Sequence, residues 1–388
     1  MKWAAALLWP VASALAQGQV LEQAQAQAQA LLDYTAQERA RIASHGPWPP
    51  APVRDPSNRV DGQAAAAAWG RALFFGARLS ADGRFSCASC HQPARSFQDN
   101  LPTAAGRAQG QRGRRNTPSL LDGAQRRWLG WDGAHDSLWA ASLAPLLAAD
   151  EMAQSPPRLA ARVRASPSLR RGYRAAFGAA VPADDERVAV DVAKALAAYQ
   201  ATMTSPRTAF DDFRDALLRG DSAAAAAYPL AAQRGLRLFI GQANCSLCHA
   251  GPAFTHGEFA DIGMPFFAGA GVDPGRHGGL QRLRASRMNR LGAYNDAAAS
   301  DPRAVTTRHV LTLHRHFGEF RVPGLRQLVH TAPYMHDGSL ARVEDVVRHY
   351  AELDEDRLHA DGERILRRLD LTPQESADLA AFLRSLSR

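Results

Sequence analysis

Cys87-Ala88-Ser89-Cys90-His91 and Cys245-Ser246-Leu247-Cys248-His249 are two copies of one pattern, and together they use every cysteine in the chain. In Cys-x-x-Cys-His the two thiols straddle one edge of a porphyrin and bond to its vinyl groups. The adjacent imidazole turns under the centre and reaches the iron. Two such patterns with no cysteine left over predict two covalently bound haem c groups. One is attached through Cys87 and Cys90 with His91, the other through Cys245 and Cys248 with His249. Two disulfides, or one four-cysteine zinc site, would use the same residues. Zinc favours Cys-x-x-Cys modules folded close together, whereas these pairs lie far apart and each carries a fixed histidine. Haem attachment is the better reading.

The surroundings of the two motifs also repeat. Gly70-Arg71-Ala72-Leu73-Phe74-Phe75-Gly76 precedes the first and Phe97 follows it; Gly235-Leu236-Arg237-Leu238-Phe239-Ile240-Gly241 precedes the second and Phe254 follows it. Each reads as a short amphipathic helix ending in a glycine, consistent with a left-handed cap, that delivers the chain to the cysteines. The expectation is a mostly α fold: two cytochrome c-like haem domains with long connecting loops. They span 58–225 and 226–388, with the boundary near the Ala-rich stretch Ser222 to Tyr228. Helical periodicity runs over 184–202 and 208–219. Thr372-Pro373-Gln374-Glu375 is a capping box with proline at the first helical position, and Leu379, Phe382, Leu383 and Leu386 follow it. That helix should close the second domain. Gly263 to Gly279 and Ala285 to Thr306 read as long surface connections.

Before the first domain, Met1 to Ala16 has a charged start, a short apolar stretch and small residues for cleavage, which is the pattern of a signal peptide. Residues 17–57 read as a tether, rich in Gln and Ala and then in Pro (Pro47, Pro49, Pro50, Pro52). No later stretch is long and apolar enough to span a membrane. With haem attachment, export predicts a bacterial periplasm. At 388 residues and 46% apolar composition the chain can bury two cores. The formal charge is +8, carried almost wholly by arginine, since Lys2 and Lys194 are the only lysines. No basic run is interleaved with aromatics, so nucleic acid is not an expected partner.

A family resemblance runs through the whole order of motifs. Leu73-Phe74-Phe75, the first haem motif, Arg115-Asn116-Thr117-Pro118-Ser119-Leu120, Trp131-Asp132-Gly133, Glu151-Met152, the second haem motif and Thr331-Ala332-Pro333-Tyr334-Met335-His336-Asp337-Gly338-Ser339 together resemble the bacterial di-haem cytochrome c peroxidase/MauG family. The resemblance extends from about Asn58 to the C-terminus. It implies that the haem on His91 meets hydrogen peroxide and that the haem on His249 is a six-coordinate electron-transfer centre. Classical members keep a histidine on the loop after the first motif that blocks the iron. No histidine lies between His91 and His135 here, which implies an open first iron, as in the MauG-like branch. Glu151 is the implied acid-base group, twenty residues after Trp131; the glutamine that usually accompanies it is replaced by Ala141. Trp131 is the implied bridge between the haems. Fourteen residues after His336, where classical members place methionine, stands Tyr350, the ligand of the MauG-like branch. A phenolate stabilises ferric and higher states, whereas a thioether favours ferrous iron. Met335 and Met264 are the alternative ligands. The resemblance also implies a calcium ion held by Asn116 and the carbonyls of Thr331 and Pro333, a ligand set suited to calcium.

The reading that follows is a periplasmic oxidoreductase of the MauG type, with the MbnH-like enzymes as the related alternative, which takes peroxide at the first haem and oxidises a protein partner. One alternative is a peroxidase that reduces hydrogen peroxide with electrons from a small redox protein; an axial methionine and a blocked first haem would mark it. Another is a non-catalytic di-haem carrier or redox sensor, marked by six-coordination of both irons.

Overall fold

The computed structural model describes residues 30–108, 110–264, 271–297, 300–356 and 360–388. The expected signal peptide and most of the Gln/Ala-rich stretch lie outside them. The helices are α1 (Ala36–Ala43), α2 (Ala64–Phe75), α3 (Cys87–Cys90), α4 (Leu138–Leu147), α5 (Pro156–Ala165), α6 (Pro167–Phe177), α7 (Asp185–Gln200), α8 (Ala209–Arg219), α9 (Ser222–Ala226), α10 (Leu230–Ile240), α11 (Gly275–Ala285), α12 (Pro302–His309), α13 (Val343–Ala351) and α14 (Pro373–Ser385). Two short strands, β1 (Phe259–Ala260) and β2 (Phe320–Arg321), pair antiparallel with Phe259 opposite Arg321. The protein is mostly α, as the sequence predicts.

Two hydrophobic cores organise these elements. In the first, α7 is buried nearly all round, from Val188 to Gln200, and packs against α2, α4 and α5; a helix apolar on every side has to be central. Asp184 starts it by accepting from the Glu186 and Arg187 amides at 2.9 and 3.2 Å. In the second core α10 crosses α14, and the Thr372–Glu375 capping box forms as predicted. Each full burial of a Phe such as Phe74 or Phe239 stabilises its core by about 1.5–3 kcal/mol.

The two crossings are built alike. A Cβ added at Gly70 would lie 1.9 Å from the Ala195 carbonyl oxygen of α7, and one at Gly235 would lie 1.9 Å from the Asp378 carbonyl oxygen of α14. The repeated glycine is therefore the point of closest approach, with Leu73-Phe74 and Leu238-Phe239 following it toward the cysteines.

Four expectations are corrected. Gly76 and Gly241 are not left-handed caps: their φ values are −86° and −113°. They are needed instead because a Cβ would meet the Ala72 or Arg237 carbonyl at 2.9 or 2.6 Å. The second core begins before residue 226, since Phe210, Phe213 and Leu217 of α8 belong to it, as do Tyr34 and Ile42. The segment read as a tether thus contributes α1 and a buried Trp48. The stretches read as surface connections carry α11 and α12. Leu280 and Leu283 of α11 pack with Trp128 in a third small cluster, and Arg290 is buried against Asp301 at 2.6 Å and Asp55 at 2.8 Å.

Candidate functional site

Both cysteine motifs fold into the same turn. The His91 amide donates to the Cys87 carbonyl at 2.8 Å and the His249 amide to the Cys245 carbonyl at 2.9 Å. The chain then reverses through a left-handed residue, Phe97 (φ 59°) or Phe254 (φ 54°). The carbonyl of that residue accepts a hydrogen bond from the histidine Nδ1, at 2.9 Å for His91 and 3.0 Å for His249. A carbonyl only accepts, so Nδ1 carries the hydrogen and Nε2 keeps its lone pair for a metal. Burial pulls both imidazoles toward the neutral form, His249 down to about 4, although the carbonyl bonds act the other way. Burial also pushes the thiols up, Cys87 and Cys245 to about 12 and Cys90 to about 11. None of the four cysteines pairs with another, which speaks against the disulfide reading. Among the described residues no group of three or more His, Cys, Asp or Glu is placed to hold a metal ion, which disfavours the zinc reading.

A cavity of about 980 Å³ opens beside the second turn, at the upper end of the roughly 300–1,000 Å³ typical of cofactor pockets. Its wall brings together Cys245, Cys248, His249, Tyr350, Trp131, Asn116, Thr331 and Pro333, residues drawn from five separate stretches of sequence. Tyr350 comes from α13. Burial, then the neighbouring Cys245 and Cys248 thiols, push its phenol far up, so it ionises only against a strong positive charge. Met335 also lines the cavity, whereas Met264 is buried elsewhere. Met335 sits in the loop whose next residue, His336, accepts from the Asn116 amide at 2.7 Å through its carbonyl. Trp131 donates its indole hydrogen to the Asn116 carbonyl at 2.8 Å. The Asn116 side chain spends its NH2 on the Leu101 carbonyl at 2.8 Å, which leaves the amide oxygen as the atom available to a cation. Asn100 fixes the facing loop by donating to the Ala332 carbonyl at 2.6 Å.

Orphaned polar groups show what the cavity suits. Arg321 is 4% exposed and lines it, yet among the described residues it pairs with no carboxylate. Its Nε donates to the Gly130 carbonyl at 3.2 Å. Burial, with Arg126 nearby, depresses its guanidinium strongly. The His336 Nδ1 is buried with no partner among the described residues, and its ring stacks on Phe320 with centroids 3.5 Å apart. An apolar cavity with an uncompensated buried cation and a spare imidazole nitrogen fits a flat apolar group bearing carboxylates. A haem is such a group, and its propionates would satisfy both residues.

Glu151 stands apart from that wall, in the turn after α4. Its carboxylate acts on both Cys87 and Cys90, raising their thiols. Burial and Asp150 in turn raise Glu151. It lies near the Cys87–His91 turn, as does Asp99, which bears on Cys90 and His91 and is held by the Thr117 hydroxyl at 2.7 Å.

Sequence reasoning missed the N-terminal contribution. His45 stacks on Phe254 at 4.6 Å and its Nδ1 donates to the Gly251 carbonyl at 3.0 Å, clamping the turn that orients His249. Trp48 lines the same cavity with the Arg326 guanidinium 3.7 Å from its ring centroid. Aromatic residues in an otherwise polar, proline-rich stretch were the available signal. Arg321 carries no motif, so only its position identifies it.

Similarity to known proteins identifies the family. The family model described as di-haem cytochrome c peroxidase matches residues 64–222. The chain is 35% identical to the methylamine utilization protein MauG of Methylorubrum extorquens, over 82% of this chain and 77% of that one. It is 33% identical to the cytochrome-c peroxidase IdrP1 of Denitromonas iodatirespirans, over 90% and 87%. A crystal structure of a MauG-like protein associated with microbial copper homeostasis superposes with a TM-score of 0.63 at 30% identity, covering 88% of this chain and 95% of that one. The diheme peroxidase BthA of Burkholderia thailandensis superposes with a TM-score of 0.65 at 25% identity, covering 86% and 89%. Twin histidine turns, a Trp131-walled cavity and relatives at this identity over most of the sequence lead to one assignment: the chain belongs to the di-haem cytochrome c peroxidase/MauG family and is an oxidoreductase of that family.

Proposed function

We propose that this chain is a periplasmic di-haem oxidase of the MauG type, with two covalently attached haem c groups, that uses hydrogen peroxide to oxidise a protein partner. The bound haems supply peroxide reduction and one-electron storage. His91 and His249 hold the irons through Nε2. No histidine lies between His91 and His135, so that loop would offer the first iron no second imidazole. The Glu151 carboxylate takes the proton from the near peroxide oxygen and returns it to the leaving one. Trp131 carries electrons between the two centres. Asn116, Thr331 and Pro333 hold a calcium ion that steadies the loop under Trp131. Residues 1–16 direct export.

The observation that carries this reading is Tyr350, half-buried in the wall of the cavity that also holds Cys245, Cys248 and His249. A phenol in that place would ionise on holding ferric iron and would favour the oxidised states that charge storage requires. The second reading, a peroxidase fed by a small redox protein, is favoured by Met335 in the same cavity wall. Resting-state electron paramagnetic resonance separates them: one high-spin ferric signal and one low-spin signal with a phenolate ligand are expected. Tyr350→Met should stabilise ferrous iron at the second site and abolish the long-lived oxidised state formed with one equivalent of peroxide. An unchanged spectrum in that variant removes Tyr350 as the ligand.

A further inference from the structure

Trp128 is three residues before the bridging tryptophan, within about 11 Å of it along a fully extended backbone. It is 2% exposed and packs with Leu280 and Leu283 of α11. Its indole Nε1 donates to Glu258 Oε2 at 3.1 Å. That bond distinguishes it from the other tryptophans among the described residues. Trp48 donates to the Ser205 carbonyl, Trp131 to the Asn116 carbonyl and Trp139 to the Ser57 hydroxyl, while Trp69 finds no acceptor. Among the described residues Trp128 is the tryptophan that faces a carboxylate, a base able to take its proton.

Glu258 connects two regions. It lines the same cavity as Trp131 and His249, and its side chain is 47% exposed beside Arg127, whose guanidinium lies 3.3 Å away. On the opposite side, Arg276 is clamped over the ring. Its Cζ lies 4.3 Å from the Trp128 centroid and 3.9 Å from that of Phe259, and its Nη1 donates to the Gly133 carbonyl at 2.9 Å. A fixed cation over the indole opposes a radical cation there. It does not oppose a neutral radical. Oxidation of Trp128 is therefore permitted only with loss of the Nε1 proton, and Glu258 is the group that receives it.

We propose that Trp128 and Glu258 form a proton-coupled redox site that holds one oxidising equivalent drawn from the haem pair. This rests on the peroxide-oxidised di-haem reading above. In the step, the haem pair, oxidised by hydrogen peroxide, gains one electron from Trp128 by way of Trp131. The Trp128 Nε1–H bond breaks, an O–H bond forms on Glu258, and a neutral indolyl radical remains. An electron from a partner reverses the step, with the proton returning from Glu258 to Nε1.

The test uses the di-haem protein with one equivalent of peroxide and no electron donor, followed by electron paramagnetic resonance and peptide mass spectrometry. A neutral tryptophan radical and oxygen addition concentrated at Trp128 are expected. Trp128→Phe should abolish both. Glu258→Gln keeps a hydrogen-bond acceptor but not the base, and should lower the Trp128 signal about tenfold or more. Peroxide-driven changes at the haems with Trp128 untouched, or a signal indifferent to Glu258→Gln, overturn the proposal alone. Haems inert to peroxide overturn the di-haem reading. Light-driven oxidation of the same protein by a ruthenium sensitiser then decides whether Trp128 is oxidised in a Glu258-dependent way, and failure there overturns the redox pair as well.

Discussion

Desolvation pushes Glu151, whose residue is still exposed at the turn, and the half-buried Tyr350 toward their neutral forms, and the chemistry asks opposite things of them. Tyr350 has to lose its proton to a cation and stay ionised. Glu151 has to take a proton and pass it on, so it must begin ionised. Because burial and then Asp150 raise its pKa above the ordinary 4.5, the reaction with peroxide should weaken as pH falls through that raised value. Stopped-flow haem absorbance against pH should show this acid limb. Glu151→Gln should remove the limb and slow the reaction by about 10²–10⁴-fold; a limb that survives in the variant belongs to another group. At this scale the sequence was readable where residue type and spacing coincide, as for the two Cys-x-x-Cys-His turns. It was silent on Arg321, His45 and Glu258, whose importance comes from a missing counter-charge, a ring stack and a hydrogen bond across 130 residues.

Helices with strong local signals formed where their sequences place them. Thr208 and Asp211 box the start of α8, and Thr372 with Glu375 the start of α14. The stretch containing α11 was misread because its glycines and arginines obscure any apolar period. There the glycines serve packing, as at Gly279, where a Cβ would lie 2.0 Å from the Asp132 carbonyl oxygen. The same logic governs the two crossings. Gly235→Ala places a methyl 1.9 Å from the Asp378 carbonyl of α14, so the helices must separate. Overpacking costs about 1–3 kcal/mol or more, against a helix-propensity gain near 1 kcal/mol. Denaturant unfolding followed by circular dichroism should show a net loss of stability for Gly235→Ala, and likewise for Gly70→Ala. A variant as stable as the parent would mean that the crossings have slack.

Across the whole molecule, buried ion pairs decide which distant segments belong together. Asp211 of α8 accepts from both terminal nitrogens of Arg326 at 2.8 Å and from Arg214 at 3.2 Å, with all three side chains at most 1% exposed. Arg326 in turn donates to the Pro252 carbonyl at 2.7 Å and covers Trp48. The cluster thus ties α8, the second haem turn and the proline-rich segment into one unit. Composition placed the boundary near residue 225 because an alanine-rich stretch resembles a linker; charge pairing across 115 residues left no local trace. Asp211→Asn leaves the buried Arg326 guanidinium without its carboxylate, while Arg214 keeps Asp215 at 2.6 Å, and breaking such a buried pair costs about 3–5 kcal/mol. Burial alone would raise the Asp211 pKa, but Arg326 and Arg214 outweigh it and hold it below 3.8. Its contribution is therefore present above that unfolded value and is lost as pH falls through the lower, folded one. Hydrogen exchange at neutral pH should show faster opening of α1, α8, α10 and α14 in the variant, with α2 and α4–α7 unchanged. Uniform acceleration through both cores would instead make the chain one cooperative unit, and the assignment of α8 to the second core would carry no energetic meaning.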